Sequence, residues 1–319
     1  MKRKKFNYYK FGVFCVIVIG ILAAIIYGII SLISGINYRK TYEYKFTEIG
    51  YTKEEFEIID KNIEEKYYDK LLTYKYNKNI ILLIKEKYFL ISNLDKYIDY
   101  MSKNDNKNIS DVIKYINCEL DVEWIDTEYN TDISKNNLML VNRIYGLSSD
   151  YVPEDIVKLS LGIAYDGNSI SKSILDELNG LISFGKENGF TFVVSQGYRS
   201  YAEQEKIYNN YVSSYGQSEA DIFVAKPGHS EYQTGLSLDL QPYNKVFDDP
   251  YESEEYNWLS KNAYKYGFIL RYNKNTEDVT QFKSSAWRLR YVGYEAASTI
   301  FEENITFEEY YAYYVMGGY

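Results

Sequence analysis

Three stretches of this 319-residue chain hold side chains that could do chemistry. SQGYRSYAEQEKIYNNY (195–211) carries Arg199, Ser200 and Gln204. AKPGHSEYQTGLSLDL (225–240) carries His229, Tyr232 and Asp239. WRLRYVG (287–293) carries Arg288, with Ser285 just before it. His229 is the one histidine of the chain, so with Asp239 it offers two metal donors, short of the three protein ligands of a catalytic zinc. A phenol has an ordinary pKa near 10, is mostly protonated at neutral pH and is a poor zinc ligand. A guanidinium stays protonated, has no lone pair to give and repels a dication. Cys15 and Cys118 lack the partners that a catalytic or metal-binding cysteine needs, and Cys118 reads as a small buried apolar residue.

The order and content of these stretches resemble the VanY-type D-alanyl-D-alanine carboxypeptidases, of the LAS group of zinc peptidases that trim peptidoglycan stem peptides. Members carry SxHxxGxAxD and a later ExWH, which supply His, Asp and His to the metal and a Glu as general base. The resemblance places Tyr232 at the first His position, Asp239 at the Asp, Ser285 at the Glu and Arg288 at the last His. It therefore implies zinc for the family, with Asp239 the one ligand retained here and no intact catalytic set. An unpaired Asp239 would be costly, and Arg288 is predicted to take the zinc's place as its partner. GYRS (197–200) and Gln204 match the family's substrate-binding stretch, in which the Arg neutralises the peptide's terminal carboxylate. Arg199 suits that role because a guanidinium fork grips a carboxylate with two hydrogen bonds. Arg199 and Ser200 can equally cap a helix beginning at 201, and the two roles are compatible.

The elements that must position these residues are readable from pattern. Residues 11–36 are 26 consecutive residues without a charge. A bilayer-spanning helix needs roughly 20 apolar residues. A cleaved signal has an apolar run of about 7–15 and a small-residue cleavage site, and neither fits, so the segment reads as an uncleaved anchor. Lys2, Arg3, Lys4, Lys5 and Lys10 precede it, against Arg39, Lys40 and Lys45 after it. The positive-inside rule then leaves residues 1–10 in the cytoplasm and everything after 37 outside. Beyond residue 36 the chain holds 31 basic against 45 acidic residues. Such a surface repels phosphate backbones and excludes nucleic acid as a partner.

Residues 37–51 read as a linker and 52–129 as a small helical region. Thr52 and Glu55 form a capping box, followed by Phe56, Ile59 and Ile63 at helical spacing. Further helical patterns occupy 67–75, 79–86, 92–102 and 110–119. Residues 130–319 mix strands and helices: a strand at LMLVN (138–142), a helix from Ile174 to near Gly189, a strand FTFVVS (190–195) and a helix at 201–214. A loop to 233, a strand at 236–240, a helix at 254–266 and strands at 268–272 and 287–292 complete the set. This pattern predicts an α+β domain with a mainly antiparallel sheet. The resemblance covers about 130–315 and implies a LAS/hedgehog-like peptidase domain.

The expected protein is thus a membrane-anchored extracellular domain without zinc chemistry. It would bind peptidoglycan stem-peptide ends or a cell-envelope protein whose wall processing it regulates. An active carboxypeptidase with an atypical metal site, and a purely structural ectodomain, stay open as alternatives.

Overall fold

The structure, a computed structural model, describes residues 8–38, 41–104, 107–122, 124 and 129–317. Most of the predicted cytoplasmic segment (1–7) and two linker positions (39–40) lie outside the described residues. Two compact units divide between Ser110 and Asp111. The sequence pattern predicts the change at 129/130. The earlier division follows from side-chain ties: Lys114 pairs with Asp278 at 3.3 Å and the Tyr145 hydroxyl donates to Glu119 at 2.6 Å.

The first unit is helical. Helix α1 (Tyr8–Tyr38) is long and apolar enough over Phe11–Tyr38 to cross a bilayer, with a mean hydropathy of 3.0 and no burial. The predicted linker instead holds a helix, α2 (Tyr42–Glu48), capped by Thr41 and anchored by fully buried Phe46 among the rings of Tyr51, Phe56 and Tyr68. Helix α3 (Lys53–Asn62) starts at the Thr52–Glu55 capping box. Helices α4 (Tyr68–Leu72), α5 (Lys78–Ile84) and α6 (Leu94–Lys103) follow. Ile59, Leu71, Ile80, Leu83 and Leu94 form the buried interior. The division between units falls in the first turn of α7 (Ile109–Asn117).

The second unit is α+β. In chain order it has β1 (Tyr129–Asn130), β2 (Tyr145–Gly146), β3 (Ile156–Lys158), β4 (Ser169–Ser171), α8 (Leu175–Glu187), β5 (Phe192–Gln196), α9 (Tyr201–Tyr215), α10 (Gln217–Phe223) and β6 (Ser237–Pro242). Then come α11 (Glu254–Asn262), β7 (Phe268–Tyr272), α12 (Glu277–Thr280), β8 (Ser285–Tyr291), α13 (Tyr294–Glu303) and α14 (Phe307–Tyr310). The main sheet has the order β5-β6-β8-β7 with every neighbouring pair antiparallel. Two smaller sheets pair β1 with β2 in parallel and β3 with β4 in antiparallel fashion.

Strand alternation separates the two faces of the main sheet. Leu238, Leu240, Phe268 and Leu289 point into a core closed by Leu178 and Leu181 of α8 and Leu259 of α11, all fully buried. Each such side chain contributes about 1.5–3 kcal/mol by leaving water. The opposite parity carries Ser237, Asp239, Arg271, Arg288 and Arg290, so the charged residues share one face.

Two expected elements differ. LMLVN is no strand: Leu138 ends a 3₁₀ turn, and the run beyond it is a buried loop. Its carbonyls are taken by side chains rather than a ladder. Arg290 donates to Met139 O at 2.8 Å, Thr131 to Leu140 O at 2.9 Å, and His229 Nδ1 lies 2.8 Å from Asn142 O. The predicted loop to 233 contains α10, which begins directly after Gly216.

Gly235 ends the 3₁₀ turn (Glu231–Thr234) that presents Tyr232. Its φ is +69°, and a Cβ would lie 2.8 Å from Ile156 Cδ1 and 3.0 Å from Ser171 N. Gly167 has a similar φ of +88° but open space around it. Gly235→Ala is expected to lower the thermal midpoint by about 4–8 °C and Gly167→Ala by about 2–4 °C, since only the former adds overlap to left-handed strain. Thermal unfolding followed by circular dichroism checks the difference.

Candidate functional site

The site grows from the register of two strands. Antiparallel pairing of β6 with β8 sets Asp239 directly opposite Arg288. Directly paired side chains stand about 4.5–5.5 Å apart at Cβ, close enough for charge pairing. The Arg288 Nε donates to Asp239 Oδ1. The other carboxylate oxygen accepts the Tyr232 hydroxyl at 2.6 Å. The Arg288 guanidinium lies 4.1 Å from the centroid of the buried Tyr232 ring, and the Arg199 guanidinium 4.6 Å from the same ring. Two guanidiniums and one carboxylate thus meet around one phenol, with one positive charge in excess.

The protonation states follow. Burial opposes the charge on Arg288, but Asp239 and Tyr232 outweigh it and hold its pKa above the ordinary arginine range. Burial pushes the Tyr232 phenol well above its ordinary value, with Arg288 opposing and Asp239 reinforcing the rise. Burial lowers the pKa of Arg199, without bringing a guanidinium near neutral pH.

Arg199 is held from behind. Its Nη1 donates to Gln204 Oε1 at 2.8 Å, and the Gln204 Nε2 donates to Ala225 O at 2.6 Å. Gln204 is buried and therefore fixes the guanidinium from inside the fold. Ser200 is the N-cap of α9: its Oγ accepts from Glu203 N at 3.3 Å, and Glu203 Oε2 accepts from Ser200 N at 2.8 Å. Its hydroxyl also donates to Glu203 at 2.7 Å, so Ser200 serves the helix end. Ser285 opens β8 opposite Tyr272 and lines a cleft of about 70 Å³ with Tyr272, Phe282 and Arg288. His229 is set apart, its ring against Gly146 and Nδ1 on the Asn142 carbonyl.

Behind the cleft lies a buried group that sequence reasoning missed. Glu231, next to Tyr232, accepts from Arg271 Nε at 2.9 Å and from the Ser237 hydroxyl at 3.1 Å. Arg271 also grips Glu308 through both terminal nitrogens, at 2.9 and 2.5 Å. Arg290 Nη1 stands 3.4 Å from Glu231, while its Nη2 donates to the Asn137 and Met139 carbonyls. The four ionic side chains are at most 3% exposed and sum to zero charge. The available signal was parity: the arginines of FILRY and WRLRY interrupt otherwise apolar strands on the face opposite the core.

Asp239 is engaged on both oxygens, and among the described residues no group of three or more His, Cys, Asp or Glu is arranged to hold a metal ion. The Arg288 and Asp239 side chains retain 22% and 24% exposure, so solvent screens their pairing in part. Arg288→Met and Asp239→Ala are each expected to destabilise the fold, and the double variant to lose about 1–2 kcal/mol less than their sum. Urea unfolding of the four proteins measures this; additivity within about 0.5 kcal/mol would contradict the pairing.

Comparison with known proteins agrees with the architecture. Residues 167–294 match the family model described as VanY, D-alanyl-D-alanine carboxypeptidase. YodJ of Bacillus subtilis (strain 168), a carboxypeptidase relative, is 36% identical over 217 residues, covering 66% of this chain and 78% of its own. A D-alanyl-D-alanine carboxypeptidase of Enterococcus faecalis is 33% identical over 183 residues, covering 54% of this chain and 65% of that protein. Among solved structures, the LdcB LD-carboxypeptidase superposes with a TM-score of 0.55 at 35% identity, covering 60% of this chain and 93% of that one. Its structure was described as revealing the molecular basis of peptidoglycan recognition. With its antiparallel sheet, its cleft residues on β6 and β8 and these relatives, the chain belongs to the VanY family of D-alanyl-D-alanine carboxypeptidases.

Proposed function

We propose that this protein is a single-pass, membrane-anchored VanY-family domain that binds peptidoglycan stem-peptide ends through their terminal carboxylate and does not cleave them. The observation that carries the reading is the pair of guanidiniums, Arg199 and Arg288, set against Tyr232 with Asp239 as their shared counter-charge. At the positions where the family places zinc ligands and a general base, a protonated phenol, a guanidinium and a serine hydroxyl do not fit a zinc ion. What these residues can do is hold an anion. Gln204 keeps the Arg199 fork oriented, and with Asp239 paired to Arg288 the Arg199 guanidinium is the positive charge in excess, on a chain whose overall charge is acidic.

The relative LdcB was described in terms of peptidoglycan recognition, which makes the same class of ligand the natural candidate here. The charge asymmetry around α1 supports a cytoplasmic N-terminus and an extracellular second unit, facing the wall.

Calorimetry of the full-length protein in detergent with a peptide ending in D-Ala-D-Ala tests the reading. Binding is expected, with no free alanine released. Arg199→Ala is expected to weaken it by about 10- to 100-fold, the worth of a charged hydrogen-bond pair. Amidation of the peptide terminus is expected to do the same. Absence of binding by the unaltered protein would remove the proposal. Steady release of alanine would return the chain to the working enzymes.

A further inference from the structure

A second cavity of about 290 Å³ is lined by Asn130, Ser148, Ser149, Tyr201, Pro227 and His229 among others. It adjoins the cleft along the chain: Tyr201 follows Ser200 and Arg199, and His229 precedes Ser230, which lines the cleft. Its walls are set by two close backbone approaches. Gly228, at φ +84°, presses on the Leu147 carbonyl, where a Cβ would lie at 2.6 Å, and 3.3 Å from the Tyr201 ring. Gly146 lies flat against the imidazole, where a Cβ would come to 2.9 Å of His229 Cε1. Leu147 N donates to Gly228 O at 2.9 Å and Thr131 N to Gly146 O at 2.9 Å, so the wall is tied to β2 and to the turn. The pocket is therefore preformed.

Its lining mixes ring surfaces with short polar side chains. Among the described residues no Asp, Glu, Lys or Arg lines it. Tyr201 and Pro227 supply ring surfaces. Asn130, Ser148 and Ser149 supply an amide and two hydroxyls, which can both donate and accept. His229 adds an imidazole edge to the wall, held by its Nδ1 at 2.8 Å from the Asn142 carbonyl. A volume near the lower end of the roughly 300–1,000 Å³ of small-ligand sites suits one six-membered ring. A pyranose has what such a pocket takes: an apolar C–H face to lie on an aromatic ring, and a rim of hydroxyls for short neutral polar side chains.

We infer that this pocket is a saccharide subsite, sized for one neutral hexose or N-acetylhexosamine ring beside the carboxylate-binding cleft. It extends the proposed function from the peptide to the glycan and is separately testable. Saturation-transfer NMR of the full-length protein in detergent with the N-acetylglucosamine trimer is expected to show transfer to the sugar protons. Tyr201→Ala removes the ring surface, and Ser149→Trp fills the pocket from an exposed position; each is expected to weaken sugar binding by about tenfold or more. Ser149→Trp is expected to leave binding of the D-Ala-D-Ala peptide unchanged. No transfer to the sugar, transfer undiminished in both variants, or displacement of the sugar by an uncharged N-acetyl trialanine amide would overturn the inference. Sugar binding without peptide binding would remove the proposed function and leave this subsite standing.

Discussion

An arginine cannot shed its proton in a folded protein, and at position 288 that constraint governs the rest of the cleft. Strand register puts its guanidinium opposite Asp239, which would otherwise be a half-buried carboxylate with a single phenolic donor. The pair satisfies both groups. It also fixes Tyr232, whose hydroxyl closes on the second carboxylate oxygen and whose ring faces two guanidiniums. A phenol in that position stays protonated, and an acid held by two donors has little to offer a cation. The same charges leave the cleft suited to an anion.

The buried ionic group behind the cleft explains why the local backbone holds its shape. Glu231 and Tyr232 are neighbours in one 3₁₀ turn, so Arg271 and Arg290 anchor the turn from inside while Arg288 meets it from the cleft side. Arg271 further ties β7 to Glu308 on α14. Removing one partner from such a group strands a buried charge, at about 3–5 kcal/mol, which is why its net neutrality matters more than any single contact. The apolar face of the same sheet, packed on α8 and α11, supplies the stability against which this polar face is held.

Legibility in the sequence follows interaction range. Helix α8 and strands β5 and β7 stand where periodicity puts them, because their apolar residues face one continuous core, and α9 starts where its Ser200–Glu203 capping box puts it. The Thr52 cap was readable as a local pattern of side chain and backbone, as Ser200 was in its capping role. Helix α2 was not, since one buried residue, Phe46, holds it and no periodic stripe announces it. LMLVN looked like a strand because its side chains are buried, but distant side chains take its carbonyls. The buried ion pairs join residues 37 and 40 positions apart, a separation that no local window reports. Tyr232, Asp239 and Arg288 could be grouped only through the motif resemblance, and the β6–β8 register supplies the physical reason that they meet.

The most direct test of the idea that permanent positive charge stands where the family carries a cation is metal stoichiometry. The full-length protein, incubated with excess zinc and then desalted, is assayed by plasma mass spectrometry alongside Asp239→Ala. The charge reading predicts far less than one zinc per chain, and no difference between the two proteins. About one equivalent of zinc, lost in Asp239→Ala, would mean that a ligand set does assemble around that carboxylate and would contradict it.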